Sequence, residues 1–284
     1  MTPLTDRSGR FSPLKAVTLA GLMAPAIWLA YRAWELDLGP LPVKEAMLFS
    51  GLWAIRFLVL TLALTPAQRM FNYSRLSLIR RMAGIGAFVY ALLHFALFIV
   101  NAKFDIGFVA AEIALRIYLT IGFAALVGLS LLAATSTDAA IAALGQRWKQ
   151  LHRIVYAIAI LGTLHFFMQS KIDASEATLM TGLFLTLMIY REFIRRRIAL
   201  SPAVLAVSAL AGALATALVE FAWYGLATGI DPWRIAMANL TLAHGPRPAL
   251  WVMLTGLMIA IAPPLYKTCV RRLRVLDTPH PARP

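Results

Sequence analysis

The stretch Arg80-Arg81-Met82-Ala83-Gly84-Ile85-Gly86-Ala87-Phe88-Val89-Tyr90-Ala91-Leu92-Leu93-His94-Phe95-Ala96-Leu97-Phe98-Ile99-Val100-Asn101 decides the class of this chain. No charged side chain occurs from Met82 to Asn101, and about 20 apolar residues in α-helix cross the hydrocarbon core of a bilayer. Two arginines stand at one end, and a single histidine interrupts the run. A histidine inside a bilayer span is costly and marks a functional site whose partner has to be found.

The rest of the sequence agrees with a membrane class. Of 284 residues, 60% are hydrophobic and 14% charged, against roughly 45–50% and about 25% in soluble domains. Eight spans can be drawn, at about 16–34, 47–65, 82–101, 117–134, 153–170, 174–190, 203–224 and 248–266. The sixth is the weakest, because its uncharged run covers only Ala177 to Tyr190. The expected fold is an all-α, polytopic membrane helix bundle. Arg7, Arg10 and Lys15 precede the first span as in a signal sequence, but the run is long enough to span, Arg32 can snorkel, and no clear small-x-small cleavage site follows. We therefore expect an uncleaved first helix.

Alternate connections are cationic: Arg69, Arg75, Arg80 and Arg81; Arg147, Lys149 and Arg153; Arg191, Arg195, Arg196 and Arg197. Lys267, Arg271, Arg272 and Arg274 follow the last span, and the tail beyond Arg274 reads as disordered. The other connections mix fewer cations with Glu35, Asp37, Glu45, Asp105, Asp173, Glu176 and Asp231. Under the positive-inside rule both termini are expected to be cytoplasmic, in a multi-pass membrane protein. The formal net charge of +14 is thus accounted for by loops beside anionic lipid headgroups. No basic stripe interleaved with accessible aromatics points to nucleic acid. A single cysteine, Cys269, excludes an internal disulfide and a cysteine-held iron–sulfur cluster, and is expected to pack near the end of the last helix.

Two further histidines lie in the fifth span, His152 and His165. His94 is about 21 Å beyond Arg80 along its helix, and His165 about 20 Å beyond His152 on a helix running the same way. The two therefore match in depth, the placement that clamps one haem iron from both faces. Neutral imidazole is a good iron ligand, and facing helices of a bundle build such sites. Gly84, Gly86, Ala87 and Gly162 are expected to give a cofactor room. The structural alternative is a pair of core histidines hydrogen-bonded to other helices.

On an ideal helix His152 lies about 140° around from His165, and the residue near the face of His94 at the inner level is Arg80. Arginine has no lone pair for iron but donates well to a quinone carbonyl or a flavin phosphate. Arg80 and His152 are therefore read as a quinone or flavin site toward the cytoplasm, or as interfacial cations. Arg56 lies near mid-span in the second helix, where a charge needs a partner. A haem propionate is one candidate, backbone carbonyls the other. Glu112 and Arg116 form a favourable i,i+4 pair expected to start the fourth span. His244, in a long outward loop, reads as a solvated or capping residue.

Three motifs carry a family resemblance. They are Gly51-Leu52-Trp53-Ala54-Ile55-Arg56-Phe57-Leu58-Val59-Leu60-Thr61-Leu62-Ala63-Leu64-Thr65-Pro66; Arg80-Arg81-Met82-Ala83-Gly84 with Tyr90-Ala91-Leu92-Leu93-His94; and Gly145-Gln146-Arg147-Trp148-Lys149-Gln150-Leu151-His152-Arg153 with Leu164-His165. Over roughly residues 45–170 the chain resembles the MsrQ (YedZ) family, haem-binding membrane subunits of the periplasmic methionine sulfoxide reductase system within the ferric-reductase-like transmembrane group. The resemblance implies a subunit that takes electrons from the quinone pool, with FMN as a reported cofactor. It would hand them to a periplasmic molybdopterin-containing methionine sulfoxide reductase subunit, as a heterodimer. It also implies that His94, His152 and His165 occupy the family's histidine positions and Arg80 its arginine. Ile117 departs from the family, standing where a proline follows the arginine of the fourth-helix motif. The chain also continues about 85 residues past the usual six helices. We expect a haem-binding membrane core over 1–198, with six ferric-reductase-like helices, and an extension of two transmembrane helices with a cytoplasmic tail over 199–284.

The expected function is an electron carrier, not a catalytic subunit: haem b between His94 and His165, fed by quinol or reduced flavin near Arg80 and His152. No recognisable nucleophile–base pair or molybdenum ligand is present for chemistry on methionine sulfoxide. A ferric-chelate reductase is the rival within redox chemistry, and would be favoured by a nucleotide-binding domain with a glycine-rich fingerprint. A polytopic transporter is the rival from another class, and would show broken helices or an inverted repeat.

Overall fold

The structure, a computed structural model, describes residues 4–5, 9–170, 173–241 and 245–276. The helices in order are α1 (Pro13–Trp34), α2 (Pro42–Phe71), α3 (Leu76–Asn101), α4 (Ile106–Leu115), α5 (Ile117–Ala134), α6 (Asp138–Leu144), α7 (Gln146–Leu151), α8 (Val155–Gln169), α9 (Ser175–Arg195), α10 (Pro202–Ala227), α11 (Pro232–Ala238) and α12 (Pro248–Leu276). Eight segments are long and apolar enough to cross a membrane, and they coincide with the eight expected spans. The protein is a polytopic helical membrane bundle. Local chemistry sets several helix starts. Ser12 and Ser201 accept from the amides of Lys15 and Val204, each before a proline in the first turn, and Asp105 accepts from Phe108 N. These side chains satisfy amides that a helix start leaves without partners.

Two departures from regular helix matter for the site. The fifth span is α7 and α8 joined by a 3₁₀ turn, His152–Ile154. Three residues at about 120° each, in place of 100°, cut the angle between His152 and His165 from about 140° to about 80°. The second departure is at Arg116, whose extended backbone (φ −111°, ψ 105°) separates α4 from α5. The expected ion pair forms, with Arg116 Nε 2.7 Å from Glu112 Oε2. It bridges the end of α4 to this break, however, and does not open a continuous helix.

The chain forms two compact units. One comprises residues 1–64 and 75–171, the other 65–74 and 172–284. In the first, α3 packs on α1, where Tyr90 Oη donates to Leu22 O at 2.9 Å and Leu22 fills the space left by Gly86. Phe57 of α2 meets Tyr90 edge-on at 5.1 Å, Phe95 of α3 meets Phe123 of α5 at 5.6 Å, and Ile158 of α8 fills the gap at Gly128 of α5. Gly84 faces Thr61, and Gly162 faces Ile55. The three glycines expected around a cofactor thus serve helix–helix contacts, because a missing side chain is filled by the nearest knob of the neighbouring helix.

The second unit is built on α9, α10 and α12. Thr216 of α10 sits against Gly182 of α9, Thr186 of α9 sits against Gly212 of α10, and Ala209 sits against Gly256 of α12. Each threonine returns its hydroxyl to its own helix, Thr186 to Gly182 O at 2.9 Å and Thr216 to Gly212 O at 2.6 Å. Close approach with both of these hydroxyls satisfied is how small residues join helices in lipid.

Candidate functional site

His94 and His165 come together. Their ring centres are 6.2 Å apart, with planes at 79°, and both side chains are half-buried. His94, on α3, places Nδ1 2.7 Å from the carbonyl of Met47 on α2. His165, on α8, places Nδ1 2.7 Å from the carbonyl of Tyr118 on α5. A carbonyl only accepts, so in each ring Nδ1 carries the proton and Nε2 keeps its lone pair. That tautomer is the one a metal ligand needs, with the outer nitrogen bonded to a backbone carbonyl.

The spacing fits a metal between the rings. Imidazole–metal bonds run about 2.0–2.1 Å and the ring centre lies about 1.1 Å behind the nitrogen, so two clamping rings have centres about 6.3 Å apart. Among the described residues no group of three or more His, Cys, Asp or Glu could hold a metal ion. Two protein nitrogens alone therefore suit a metal whose other ligands arrive with it, as a porphyrin's do.

Toward the inner level, the charge on Arg80 reaches His152. His152 stacks on Trp148, with centres 3.9 Å apart and planes at 24°, and its Nδ1 lies 3.2 Å from Trp148 O. Trp148 is itself fixed by Nε1 donating to Thr135 O at 2.9 Å. Nε2 of His152 lies 3.4 Å from Ser136 Oγ, whose hydroxyl donates to Leu132 O at 2.7 Å. Both ring nitrogens thus face oxygens, unlike those of His94 and His165, where among the described residues only Nδ1 has a hydrogen-bond partner. On α2, Arg56 holds its guanidinium carbon 5.1 Å from the centre of the Trp53 ring, one turn earlier. Trp53 Nε1 is buried with no hydrogen-bond partner among the described residues.

Residues 50–163 match the family model described as ferric reductase like transmembrane component. The protein-methionine-sulfoxide reductase heme-binding subunit MsrQ of Rhizobium meliloti (strain 1021) is 41% identical over 189 residues, which cover 62% of this chain and 87% of the relative. Its counterpart in Rhodospirillum rubrum is 39% identical over 196 residues, covering 68% of this chain and 92% of the relative.

The chain belongs to the MsrQ family.

A third MsrQ, from Polaromonas naphthalenivorans (strain CJ2), is 42% identical over 150 residues, 51% of this chain and 67% of the relative. No solved structure matches. The model match contains Arg56, Arg80, His94 and His152 and stops two residues before His165.

Beyond what MsrQ resemblance draws attention to, the structure adds two features. The first is a pair of glycines, Gly51 and Gly122, lying directly against the rings of His94 and His165. The second is Glu220, fully buried in α10. It forms an ion pair with Arg247, and Asn239 Nδ2 donates to its Oε2 at 2.7 Å. Glu220 is the one carboxylate between Arg197 and Asp231, and a lone acid in an apolar span announces a buried partner. His244 lies outside the described residues, as does the side chain of Cys269. Trp233 and Arg234 are exposed on α11.

Proposed function

We propose that the chain is a haem b electron-transfer subunit of the bacterial inner membrane. It carries electrons from the quinone pool, or from a reduced flavin such as FMN, to a periplasmic molybdopterin-containing methionine sulfoxide reductase subunit for repair of oxidised proteins. The observation that carries this reading is the His94–His165 pair, 6.2 Å between ring centres with both Nδ1 atoms tied to backbone carbonyls. The relatives' printed name, a heme-binding subunit, agrees with it. A bound haem supplies a one-electron store between a two-electron donor and the partner protein. The chain has one cysteine and hence no Cys-x-x-Cys-His attachment, which favours b-type, extractable haem.

His94 and His165 hold and orient the iron's two faces. Arg56 and Trp53 Nε1 are two donors at the same ring, suited to one acidic acceptor such as a propionate. By the positive-inside pattern Arg80 and His152 lie toward the cytoplasm with both termini. There Arg80 donates to a quinone carbonyl, Trp148 offers a ring face, and His152 takes a proton with an oxygen waiting at each nitrogen. Residues 1–198 form the haem-binding core, and 199–284 assist coupling to the partner.

A pyridine haemochrome assay on the purified protein, with acid extraction, tests cofactor and type. His94→Ala and His165→Ala should each abolish the low-spin spectrum. Full haem in both variants would reject the ligand pair.

A further inference from the structure

We infer that Gly51 and Gly122 are positioning residues, two equivalent notches that seat the rings of His94 and His165 against the carbonyls that fix their tautomers. The inference rests on the proposed haem ligation, but its geometry stands in the protein alone. Met47 and Gly51 are four apart on α2, and Tyr118 and Gly122 are four apart on α5, so carbonyl and glycine lie one turn apart on the same helix face. A helical carbonyl accepts from the amide four residues on and has a second lone pair to spare. For an imidazole on another helix to reach that lone pair at 2.7 Å, its ring has to cross the position where residue i+4 would carry a Cβ. A Cβ on Gly51 would lie 2.8 Å from His94 Nδ1 and 3.0 Å from its Cε1. A Cβ on Gly122 would lie 2.6 Å from His165 Nδ1 and 2.7 Å from its Cε1. These distances are well inside carbon–nitrogen and carbon–carbon contact. Any side chain at either position displaces the ring from its carbonyl.

The same device on two unrelated helix pairs is the core of the inference. Of the other described transmembrane glycines of the first unit, Gly21 faces open space and the rest face an aliphatic side chain or a threonine methyl: Leu22 at Gly86, Ile158 at Gly128, Ile55 at Gly162, Thr61 at Gly84. Among the described residues of the first unit, only at the two histidines does the notch hold a titratable ring. The carbonyl bond raises the basicity of the imidazole and so favours ferric over ferrous iron. Losing it should raise the midpoint potential and weaken haem binding by about 10–100-fold, the usual cost of removing a ligand's outer hydrogen-bond partner.

The test compares Gly51→Ala and Gly122→Ala with two controls in the full-length protein. Gly84→Ala places a Cβ in ordinary contact, 3.6 Å from Thr61 Cγ2, and Gly128→Ala places one 2.8 Å from Ile158 Cγ1, crowding the α5–α8 contact without touching a ligand. Readouts are haem affinity, midpoint potential and the low-spin electron paramagnetic resonance signal. A second set is ¹⁵N resonances of the histidine side chains in haem-free protein. Weaker binding and a raised potential in the two notch variants, with Gly84→Ala unchanged and Gly128→Ala keeping the parent potential, are expected. Haem-free parent protein should show both rings protonated at Nδ1, and each notch variant should lose that signature at its own histidine. Parent-like affinity and potential in both notch variants would overturn the inference. So would an equal shift in Gly128→Ala, which would make the effect one of helix spacing. If Gly122→Ala is not recovered as a monodisperse protein, Gly51→Ala, with the smaller overlap, decides. Should His94→Ala and His165→Ala retain haem, the ligand reading fails, and the ¹⁵N signatures judge the notches independently.

Discussion

At the scale of a single imidazole, the proton's position determines what the ring can do. His94 and His165 each have one nitrogen bonded to a carbonyl and the other left for a metal. His152 has an oxygen near both. We predict that His152→Ala retains substantial haem but loses reduction by quinol, read from haem content beside stopped-flow reduction. Two haems per chain in the parent and one in the variant would assign His152 to iron instead. Depth-matching made the His94–His165 pair legible, because 1.5 Å per residue turns sequence spacing into position along a span. Gly51 was not legible as His94's neighbour, because that contact joins two helices whose relative rotation no local pattern fixes. Glu220 was legible in principle, as a lone acid among apolar residues. Its partner was not, since Arg247 is 27 residues away beyond a loop. With Glu220 fully buried, Arg247→Ala strands a carboxylate and should destabilise the second unit by about 3–5 kcal/mol. Adding Glu220→Gln to that variant should recover part of the loss. Detergent unfolding of the parent and the two variants measures both effects.

Individual helices show where hydropathy misleads. α9 has the weakest apolar run, yet 44% of its window is buried within the protein, more than any other span. Its polar Thr178 and Thr186 face neighbouring protein, not lipid, so hydropathy understates a helix shielded on its sides. The 3₁₀ turn at His152 was hidden for a different reason. No glycine or proline marks it, and only packing selects 3₁₀ over α there. At the start of α9 the Ser175 amide donates to Asp173 Oδ1 at 3.0 Å. This bond and one from the Ser175 hydroxyl hold the Asp173 carboxyl below its ordinary range. A depressed folded-state value stabilises above the unfolded value and is lost as pH falls through the folded one. Asp173→Asn should therefore melt below the parent at neutral pH, and the gap should close as pH drops below about 4. A gap unchanged at pH 3 would remove Asp173 from the account.

For the whole molecule, both histidines and both accepting carbonyls belong to the unit of residues 1–64 and 75–171. Truncation after Arg197 should leave the haem-to-protein ratio near that of the full chain while lowering electron delivery to the partner reductase. Parallel loss of both would give α10 to α12 a purely structural role. Charge alternation outlined the number of crossings from sequence alone, because lipid imposes it on every loop. The association of α9 with α10 and α12 was not legible, since it depends on which small residues meet.

The Gly182–Thr186 and Gly212–Thr216 contacts have a symmetry with an unexpected consequence. Each helix presents the same glycine-then-threonine unit, and the two interlock head to tail, so the surface of α9 is complementary to a reversed copy of itself. Within a bilayer every copy of this protein is inserted in one direction, so two α9 helices run alike and cannot mate. In detergent no direction is imposed. A chain ending at Arg197 should then be monomeric by cross-linking in vesicles yet pair through α9 when solubilised. Gly182→Leu should abolish that pairing. The membrane, by orienting all copies identically, keeps a self-complementary helix from finding its twin.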